Sequence, residues 1–306
     1  MKEPIISLCL PTNGVIEWVF PVLDSIYAQN VDQNLYEIIV TNNGNNEEFE
    51  NKLLHYQTNH TNIIYKKTTA FMFYNQLEAL KLANGKYLKF INHRGLFTEG
   101  ALRNMIELVC DNETTKPVIF FGNGVLKEKQ YELENFDDFV STIGHLASWT
   151  TGVGIWKEDY DKIPKDIKID KISPHSCILF SERHKSKYLI DNSIFSQEIE
   201  VDQSKKGTYD LFKAFAVEEI TITLNLFIDG DITADTFKKV KKDYKRFVAD
   251  LYWQYIIEKR PCSYALSGFD DAMGIFYSKK EIRTEVFRLL LKKIITKIVR
   301  DWNDSL

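Results

Sequence analysis

The sequence predicts an α/β protein with a mainly parallel sheet, flanked by helices and followed by a helical C-terminal extension. Over the first half, short apolar runs alternate with segments of helical periodicity. Strands separated by helices of this length form βαβ units with parallel strands. We therefore expect one domain over residues 1–230 and a helical region over 231–306. Helical stretches of the second half are predicted at 205–227, 235–256 and 279–302.

Five apolar runs in the first half are typical of buried strands. Helices between them are predicted at 16–29 and 73–83 from apolar residues at helical spacing. In a parallel sheet the ligand crevice lies outside the carboxyl ends of the strands, here Thr12–Gly14, Asn42–Asn45 and Asn92–Arg94. The five runs are PIISLCL, YEIIVTNNGNN with its turn-rich end, NIIYKK, KYLKFIN and KPVIFFGNG.

Composition and charge narrow the class of protein. The chain has 306 residues, of which 44% are hydrophobic and 27% charged, as in an ordinary globular protein. A net charge of −4 argues against a general nucleic-acid binder. The four cysteines lack C-x-x-C spacing and indicate a reducing compartment. The apolar start is too short for a secretory signal, and no apolar run reaches about 18 residues, so we expect a cytoplasmic protein without a membrane span.

Three loop signatures, in order, resemble those of the family 2 glycosyltransferases of the GT-A fold. ISLCLPTNGVIEWVFPVLDSIYAQ matches that family's opening strand, Pro-Thr turn and helix, and YEIIVTNNGNN its second strand. NQLEALKLANGKYLKFINHRGLFTEGAL matches the helix, glycine, strand and acidic motif that follow. The resemblance covers residues 4–105 and is nearest to the branch that includes the abequosyltransferases of O-antigen assembly. It implies a Rossmann-like GT-A domain and a nucleotide-diphosphate sugar donor.

Three positions depart from the acidic residues of that family. Asn42 stands where the resemblance implies an Asp that contacts the nucleobase, and Asn92 and Arg94 replace the two carboxylates of the Asp-x-Asp motif. An Asn amide still donates to and accepts from a base or a ribose hydroxyl. Neither Asn nor Arg is a good ligand for Mg²⁺ or Mn²⁺, so no metal is expected through the usual motif.

The Asn-His-Arg sequence suggests how a site without a metal would work. Sugar transfer expels a nucleoside diphosphate, and charge accumulates on its oxygens. The Arg94 guanidinium can present a bidentate fork to these oxygens, and a protonated His93 would add positive charge. Three alternatives stay open: a Mg²⁺ or Mn²⁺ held by other ligands, a decayed and inactive loop, and an Arg94 that only pairs with Glu99.

The resemblance also implies which residues surround the two substrates. The acceptor is expected near SWTTGVGIWKEDY, whose glycines permit close approach of the backbone to a sugar; a plain buried strand with a bulge is the alternative. The predicted donor-site residues are Pro11, Thr12, Asn13, Glu17, Asn42, Asn75, Asn92, His93 and Arg94. The predicted acceptor-site residues are His145, for which packing is the alternative, Trp149, Gly152 and Trp156.

The catalytic base is expected within KIDKISPHSCILF. His175 is the nearest match to the catalytic position of the family, and an imidazole titrates close enough to cellular pH to deprotonate a sugar hydroxyl. Asp170 is the competing base, and a His175 that only starts a helix or packs in the core is the alternative. The predicted catalytic residues are therefore His175, Asp170 and Arg94.

The segment 279–302 differs in charge from the rest of the chain. Its eight basic and three acidic residues give it +5, against −4 for the whole chain. An apolar stripe with lysines on the other side is typical of a helix lying on an anionic membrane, and an ordinary terminal helix is the alternative. The apolar positions are Phe287, Leu291, Ile294, Ile298 and Trp302.

These features predict a glycosyltransferase that is peripheral at the inner face of the membrane. We expect it to move a sugar from a nucleotide-diphosphate donor to a lipid-linked glycan of a bacterial surface polysaccharide, such as capsule or O-antigen, with inversion. An inactive GT-A module that binds sugar or nucleotide as a scaffold is the alternative. A nucleotidyltransferase is a further one, but PTNGVIEW lacks the basic residue that its phosphate-binding loop would need.

Overall fold

The computed structural model describes residues 3–165, 167–199 and 208–303, with the backbone only at positions 293, 294 and 296–303. The chain forms two compact units, Met1–Val201 and Asp202–Leu306. This boundary falls earlier in the chain than residue 230, and the functional division at 230 stays a prediction.

Short strands form the centre of the first unit. They are β1 Ile6–Thr12, β2 Tyr36–Asn42, β3 Ile63–Lys67, β4 Tyr87–Phe90, β5 Gly95–Phe97, β6 Val118–Phe121, β7 Gln130–Leu133, β8 Gly154–Trp156, β9 Tyr188–Asp191 and β10 Ser196–Glu198. The main sheet has the order β3-β2-β1-β4-β8, in which β8 alone is antiparallel to its neighbour. Every residue of β2 and β4 is buried, as expected for strands covered on both faces. The predicted mainly parallel α/β class is confirmed.

Two smaller sheets complete the first unit. One has the order β6-β9-β7, with β6 and β9 parallel. The other is the antiparallel pair of β5 and β10, which places Glu198 opposite Gly95. Glu198, near the end of the described part of this unit, is thereby held beside β5, the strand that follows β4 in the chain.

Helices flank the main sheet of the first unit. They are α1 Ile16–Tyr27, α2 Glu47–Gln57, α3 Asn75–Leu82, α4 Ala101–Asp111, α5 Phe136–Ile143, α6 Lys157–Lys162 and α7 Pro174–Ser181. The core lies between these helices and the strands and includes Leu23 of α1 and Met105 of α4. The helix predicted at 73–83 is α3, preceded by a 3₁₀ turn over Met72–Tyr74. Most of SWTTGVGIW is not a strand: 3₁₀ turns cover Gly144–Ser148 and Thr150–Gly152, and only Gly154–Trp156 joins the sheet.

The described part of the second unit is helical. Its helices are α8 Leu211–Lys213, α9 Glu219–Ile228, α10 Ala234–Tyr252, α11 Phe269–Ala272 and α12 Lys279–Asn303, with π-helical turns at Ala214–Glu218 and Trp253–Ile257. The helix predicted at 279–302 is α12; its Ile282 and Val286 are buried, whereas Phe287, Leu291 and Ile295 are exposed. The side chains of Ile294, Ile298 and Trp302 lie outside the described ones. Within the described residues, no helix combines the length and the apolar character that crossing a membrane requires.

Candidate active site

The carboxyl ends of β1, β2 and β4 meet at one edge of the main sheet. Thr12 at the end of β1 pairs in register with Asn42 at the end of β2, and the Asn43 amide donates to the Thr12 carbonyl at 3.1 Å. From β4, His93 Nδ1 lies 2.9 Å from Thr12 Oγ1. The residues predicted at three separate strand ends are therefore neighbours, as the parallel order of the strands requires.

Arg94 follows β4 at this edge and is largely covered. Its Cζ lies 5.5 Å from the ring centroid of Trp18, and its Nη2 lies 3.8 Å from Glu198 Oε1. Its Nε faces Asn92 Oδ1 at 3.5 Å, while Nη1 is buried and has no hydrogen-bond partner among the described residues. The guanidinium is thus held over an aromatic ring with hydrogen-bonding capacity left over, and its acidic neighbour is Glu198, not Glu99.

His93 and the start of α1 form the adjoining part of the edge. The His93 ring meets Trp18 edge-to-face at 5.1 Å between centroids. Pro11 is half-buried in β1, and Glu17 is exposed in the first turn of α1. Asn13 lies in the loop between them, where a Cβ on Gly44 would come within 1.8 Å of the Asn13 carbonyl oxygen. Only a glycine at position 44 allows the loops after β1 and β2 to approach this closely.

The residues at the end of β4 do not fit a divalent cation. Mg²⁺ and Mn²⁺ need several oxygen ligands, and Asn92 Oδ1 already accepts from the Arg94 backbone amide at 3.0 Å. The guanidinium would also repel a cation held there. Within the described part of the chain, no group of three or more His, Cys, Asp or Glu side chains could hold a metal ion.

Asn75 and Asn42, both predicted to contact the donor, lie inside the protein. Asn75 Nδ2 donates to the carbonyls of Thr41 at 2.8 Å and Thr12 at 3.2 Å, and its Oδ1 accepts from Thr68 at 2.8 Å. These bonds tie the ends of β1 and β2 to the loop after β3. Asn42 has no exposed surface, and its Oδ1 accepts from the Gly44 amide at 2.8 Å. Asn75 therefore holds the edge of the sheet together, whereas Asn42 fixes the turn that leads to Gly44.

Asn43 is a candidate site residue that sequence reasoning missed. Asn42 at the end of β2 is buried, whereas Asn43, the first residue after the strand, is partly exposed. Its Nδ2 donates to the carbonyls of Ala70 and Met72, each at 3.0 Å. Met72 has a left-handed backbone (φ 49°), which is uncommon for a residue with a Cβ. Because its Nδ2 is held by this loop, the Asn43 side chain has a fixed orientation at the edge.

The two candidate bases, at the start of α7, have different environments. His175 is 5% exposed; its Nε2 lies 2.8 Å from the Ser148 carbonyl oxygen, and its Nδ1 lies 3.4 Å from Thr150 Oγ1. Burial lowers the pKa of His175 to about 4, so the ring is neutral at cellular pH. Asp170 is half-buried, and its Oδ1 accepts from the amides of Ile172 at 2.7 Å and Ser173 at 3.0 Å. Asp170 is therefore partly exposed, with its carboxylate held in a fixed orientation, whereas the His175 ring is buried.

The predicted acceptor residues separate into buried and partly exposed ones. Trp156 is 1% exposed and donates its indole N–H to the Pro117 carbonyl at 2.8 Å, so its ring packs in the core instead of lining a site. Gly152 is also buried, and a Cβ there would come within 2.3 Å of the Phe120 ring, so its small size serves core packing. His145 and Trp149 are half-buried and are the two that remain at the surface.

The comparison with protein families assigns the chain. The model of Glycosyl transferase family 2 matches residues 7–167, which is more than half of the 306 residues. The chain belongs to this family. It is therefore a glycosyltransferase that uses a nucleotide-sugar, and the matched span contains the strand ends and the Trp149 segment described above. No curated protein matches the sequence.

Solved structures of other glycosyltransferases are similar to this family 2 chain. The 1–349 fragment of TarS from S. aureus, in complex with UDP-GlcNAc, aligns with a TM-score of 0.58 and 11% identity over 89% of this chain and 80% of the fragment. The longer S. aureus TarS structure gives a TM-score of 0.51 at 11% identity over 82% of this chain, which spans only 43% of that one. The mannosyltransferase PcManGT from Pyrobaculum calidifontis, in complex with GDP-Man and Mn²⁺, gives 0.51 at 12% identity over 73% and 65%. Identities this low show the shared GT-A fold alone.

Proposed function

We propose that this glycosyltransferase stabilises its departing nucleoside diphosphate with Arg94 in place of a divalent cation. The observation that carries the proposal is the guanidinium at the end of β4, held over Trp18 with Nη1 buried and lacking a hydrogen-bond partner among the described residues. A buried donor without a partner costs free energy, and a phosphate oxygen would supply the missing acceptor. Asn92 and His93, which directly precede Arg94, complete the donor side of the site.

The proposed reaction is a single displacement at the anomeric carbon. The oxygen of an acceptor hydroxyl forms a bond to that carbon while the bond to the diphosphate oxygen breaks and its electron pair leaves with the nucleoside diphosphate. Asp170 takes the hydroxyl proton, and Arg94 stabilises the negative charge on the leaving group. Attack from the face opposite the leaving group inverts the configuration. His175 is the second candidate for the base, but its buried ring faces Ser148 and Thr150.

The proposed acceptor is a lipid-linked glycan of a bacterial surface polysaccharide, reached at the inner face of the membrane. Support for it comes from α12, where Phe287, Leu291 and Ile295 are exposed and recur at intervals of four along a segment with a charge of +5. An exposed apolar stripe beside basic residues suits the interface of an anionic bilayer. Attachment would raise the local concentration of enzyme around such an acceptor.

A donor panel tests the proposed function. The full-length protein is incubated with UDP-, GDP-, CDP- and TDP-sugars and bacterial glycolipid, in EDTA and in Mn²⁺, and release of nucleoside diphosphate is measured. We expect one donor class to be consumed only when glycolipid is present, at the same rate in EDTA and in Mn²⁺. Binding of a nucleotide without turnover of any donor would instead support an inactive scaffold.

A further inference from the structure

A buried lysine in the middle of β4 has no part in the reaction proposed above. Lys89 has no exposed surface, and its Nζ donates to the carbonyls of Phe90, at 2.8 Å, and Thr151. The ammonium lies 4.6 Å from the ring centroid of Phe121 and 5.1 Å from that of Phe195. Burial lowers the pKa of Lys89 to about 7. A methionine would fill this place without the cost of removing an ammonium from water, so stability alone does not require a lysine here.

The hydrogen bond from Lys89 to the Thr151 carbonyl fixes one end of a short segment against β4. This segment, residues 147–151, comprises the end of the first 3₁₀ turn, Trp149, and the start of the second turn, and β8 follows it. Because β8 is antiparallel to β4, and the Phe90 amide donates to the Val153 carbonyl at 3.1 Å, the segment runs beside the carboxyl end of β4. It therefore lies close to the turn that carries Asn92 and Arg94.

The other end of the 147–151 segment is held by α7. His175 Nε2 faces the Ser148 carbonyl oxygen at 2.8 Å, and the Ser176 hydroxyl donates to the Ala147 carbonyl at 3.1 Å. The Ser148 oxygen is an acceptor only, so the neutral His175 ring donates from Nε2. Its Nδ1 is then an acceptor, which the Thr150 hydroxyl can satisfy at 3.4 Å, while Gln76 Oε1 lies 3.3 Å from the same nitrogen. This tautomer satisfies both ring nitrogens inside the protein.

A third element, α3, contacts the middle of the segment. Gln76 is 3% exposed, and its Nε2 donates to Thr150 Oγ1 at 3.3 Å. Donors from β4, α3 and α7 thus converge on five consecutive residues, of which only Trp149 has none of these donors on its carbonyl or side chain. Trp149 is half-buried and has an extended backbone (φ −93°, ψ 102°) between the two turns. Within residues 147–151 Trp149 has the largest side chain, and it is partly exposed.

We propose that Lys89 and His175 are positioning residues, which fix the 147–151 segment so that Trp149 forms the surface on which the acceptor sugar binds. An indole offers a flat, rigid, apolar face to the C–H face of a sugar ring and an N–H to its hydroxyls. A rigid platform matters because transfer slows steeply when the attacking hydroxyl is misplaced by about 1 Å. The sugar ligand rests on the proposed function, whereas the positioning of Trp149 does not.

Fluorine NMR of the full chain labelled with 5-fluorotryptophan tests the positioning directly. The chain has five tryptophans, and loss of one signal in Trp149→Phe assigns that residue. In Lys89→Met we expect the Trp149 signal to shift and broaden while the melting temperature stays equal or rises. Lys86→Met is the matched control, since Lys86 precedes the same strand and pairs with Glu113 at the surface. It should leave the Trp149 signal in place.

Two results would overturn the proposal: an unchanged Trp149 signal in folded Lys89→Met, or a change of equal size in the core residue Trp156, which would mean general loosening. If Lys89→Met does not fold, Ser176→Ala removes a smaller contact of the same segment, and a shift of the Trp149 signal is again required. With an active donor, Lys89→Met should raise the acceptor KM severalfold and leave the donor Kd unchanged. If no donor is consumed, the proposed function fails, and the fluorine signals still decide whether Lys89 positions Trp149.

Discussion

Glu198 Oε1 lies 3.8 Å from Arg94 Nη2 and accepts from Asn92 Nδ2 at 3.4 Å. The pairing of β10 with β5 sets this position, because it places Glu198 opposite Gly95. A carboxylate fixed beside the guanidinium competes with the diphosphate of a donor for the same positive charge. The proposed donor site is therefore partly neutralised by Glu198.

Glu198→Gln should tighten the binding of nucleoside diphosphates by about two- to fivefold, the scale of an exposed ion pair. The side chain of Glu198 is 62% exposed, so solvent screening keeps the effect small. Glu128→Gln is the matched control, since Glu128 is 61% exposed and lies 3.8 Å from Lys127. Calorimetric titration measures both variants. Weaker binding by Glu198→Gln would show that Glu198 itself contacts the nucleotide. An equal gain in the control would show that Glu198 has no specific effect on binding.

Arg94→Ala should lower kcat by about 100- to 1000-fold, the usual loss when one preorganised donor to a transition-state charge is removed. Arg94→Lys should recover part of this loss, because an ammonium keeps the charge but not the fork. Arg103→Ala, exposed on α4, is the control and should be unaffected. EDTA should not change any of these rates. Loss of wild-type activity in EDTA and its recovery with Mn²⁺ would mean that a metal does this work.

Asp170→Asn should lower kcat by about 100- to 10,000-fold with little change in donor affinity, because the base acts on the acceptor during transfer. The substitution keeps Oδ1 as an acceptor for the Ile172 and Ser173 amides, so the fold should persist. Pre-steady-state kinetics and circular dichroism measure the two effects. If His175→Ala shows this kinetic loss and Asp170→Asn does not, the base is His175.

Glu182 should make the stability of the first unit fall as pH rises. Its side chain is 6% exposed, and burial raises its pKa from 4.5 to about 8, with Asp159 adding to the rise and Lys185 opposing it. Between these two pH values the folded state keeps a proton that the unfolded chain releases, so stability is greatest below about pH 4.5 and is lost up to about pH 8.

Urea unfolding of Glu182→Gln at pH 5 and pH 8 checks this pH dependence. We expect the variant to be more stable than the wild type at pH 8 by a few kcal/mol and to show a smaller difference between the two pH values. The side chain of Glu128 is 61% exposed, so Glu128→Gln should show the same pH dependence of stability as the wild type. A wild-type stability that does not change between pH 5 and pH 8 would contradict the burial of an uncompensated carboxylate.

The apolar stripe of α12 should attach the protein to anionic vesicles. Phe287 is 60% and Ile295 is 59% exposed, with Leu291 between them, so replacing all three by Ser should abolish flotation with such vesicles and leave the fold intact. Ile228→Ser, at a residue 68% exposed, is the control. High salt should release the wild type, because the basic residues act through a screened attraction. Flotation that survives the triple substitution would show attachment elsewhere.

Local sequence patterns were enough to predict the fold class and most elements. A buried strand appears in the sequence as a run of apolar residues, and a helix as apolar residues at intervals of three or four. Both patterns involve only a few neighbouring positions. The helix at 16–29 and the strand at 36–42 are two examples. The segment before β8 was misread as strand, because its short 3₁₀ turns have no periodicity to recognise.

The closeness of the polar strand ends was predicted, since β1, β2 and β4 are parallel neighbours; that these ends form the donor site stays a prediction. Which amide is exposed was not predicted: Asn42 ends β2 and is buried, whereas Asn43 follows the strand and is partly exposed. Trp156 and Trp149 were both predicted to bind the acceptor, but Trp156 packs against Tyr87 in the core. Residue type alone does not reveal whether a side chain is buried or exposed.

By itself the sequence determined the alternation of strands and helices, the presence of Asn92 and Arg94 after the fourth strand, and the basic character of the last helix. Tertiary structure alone decided that Arg94 faces Glu198, which lies 106 positions beyond Asn92, and that Lys89 reaches Thr151 from inside the sheet. The physical reason is that periodicity and charge are properties of neighbouring residues. Contacts between distant residues depend on strand order and register, which many segments settle together.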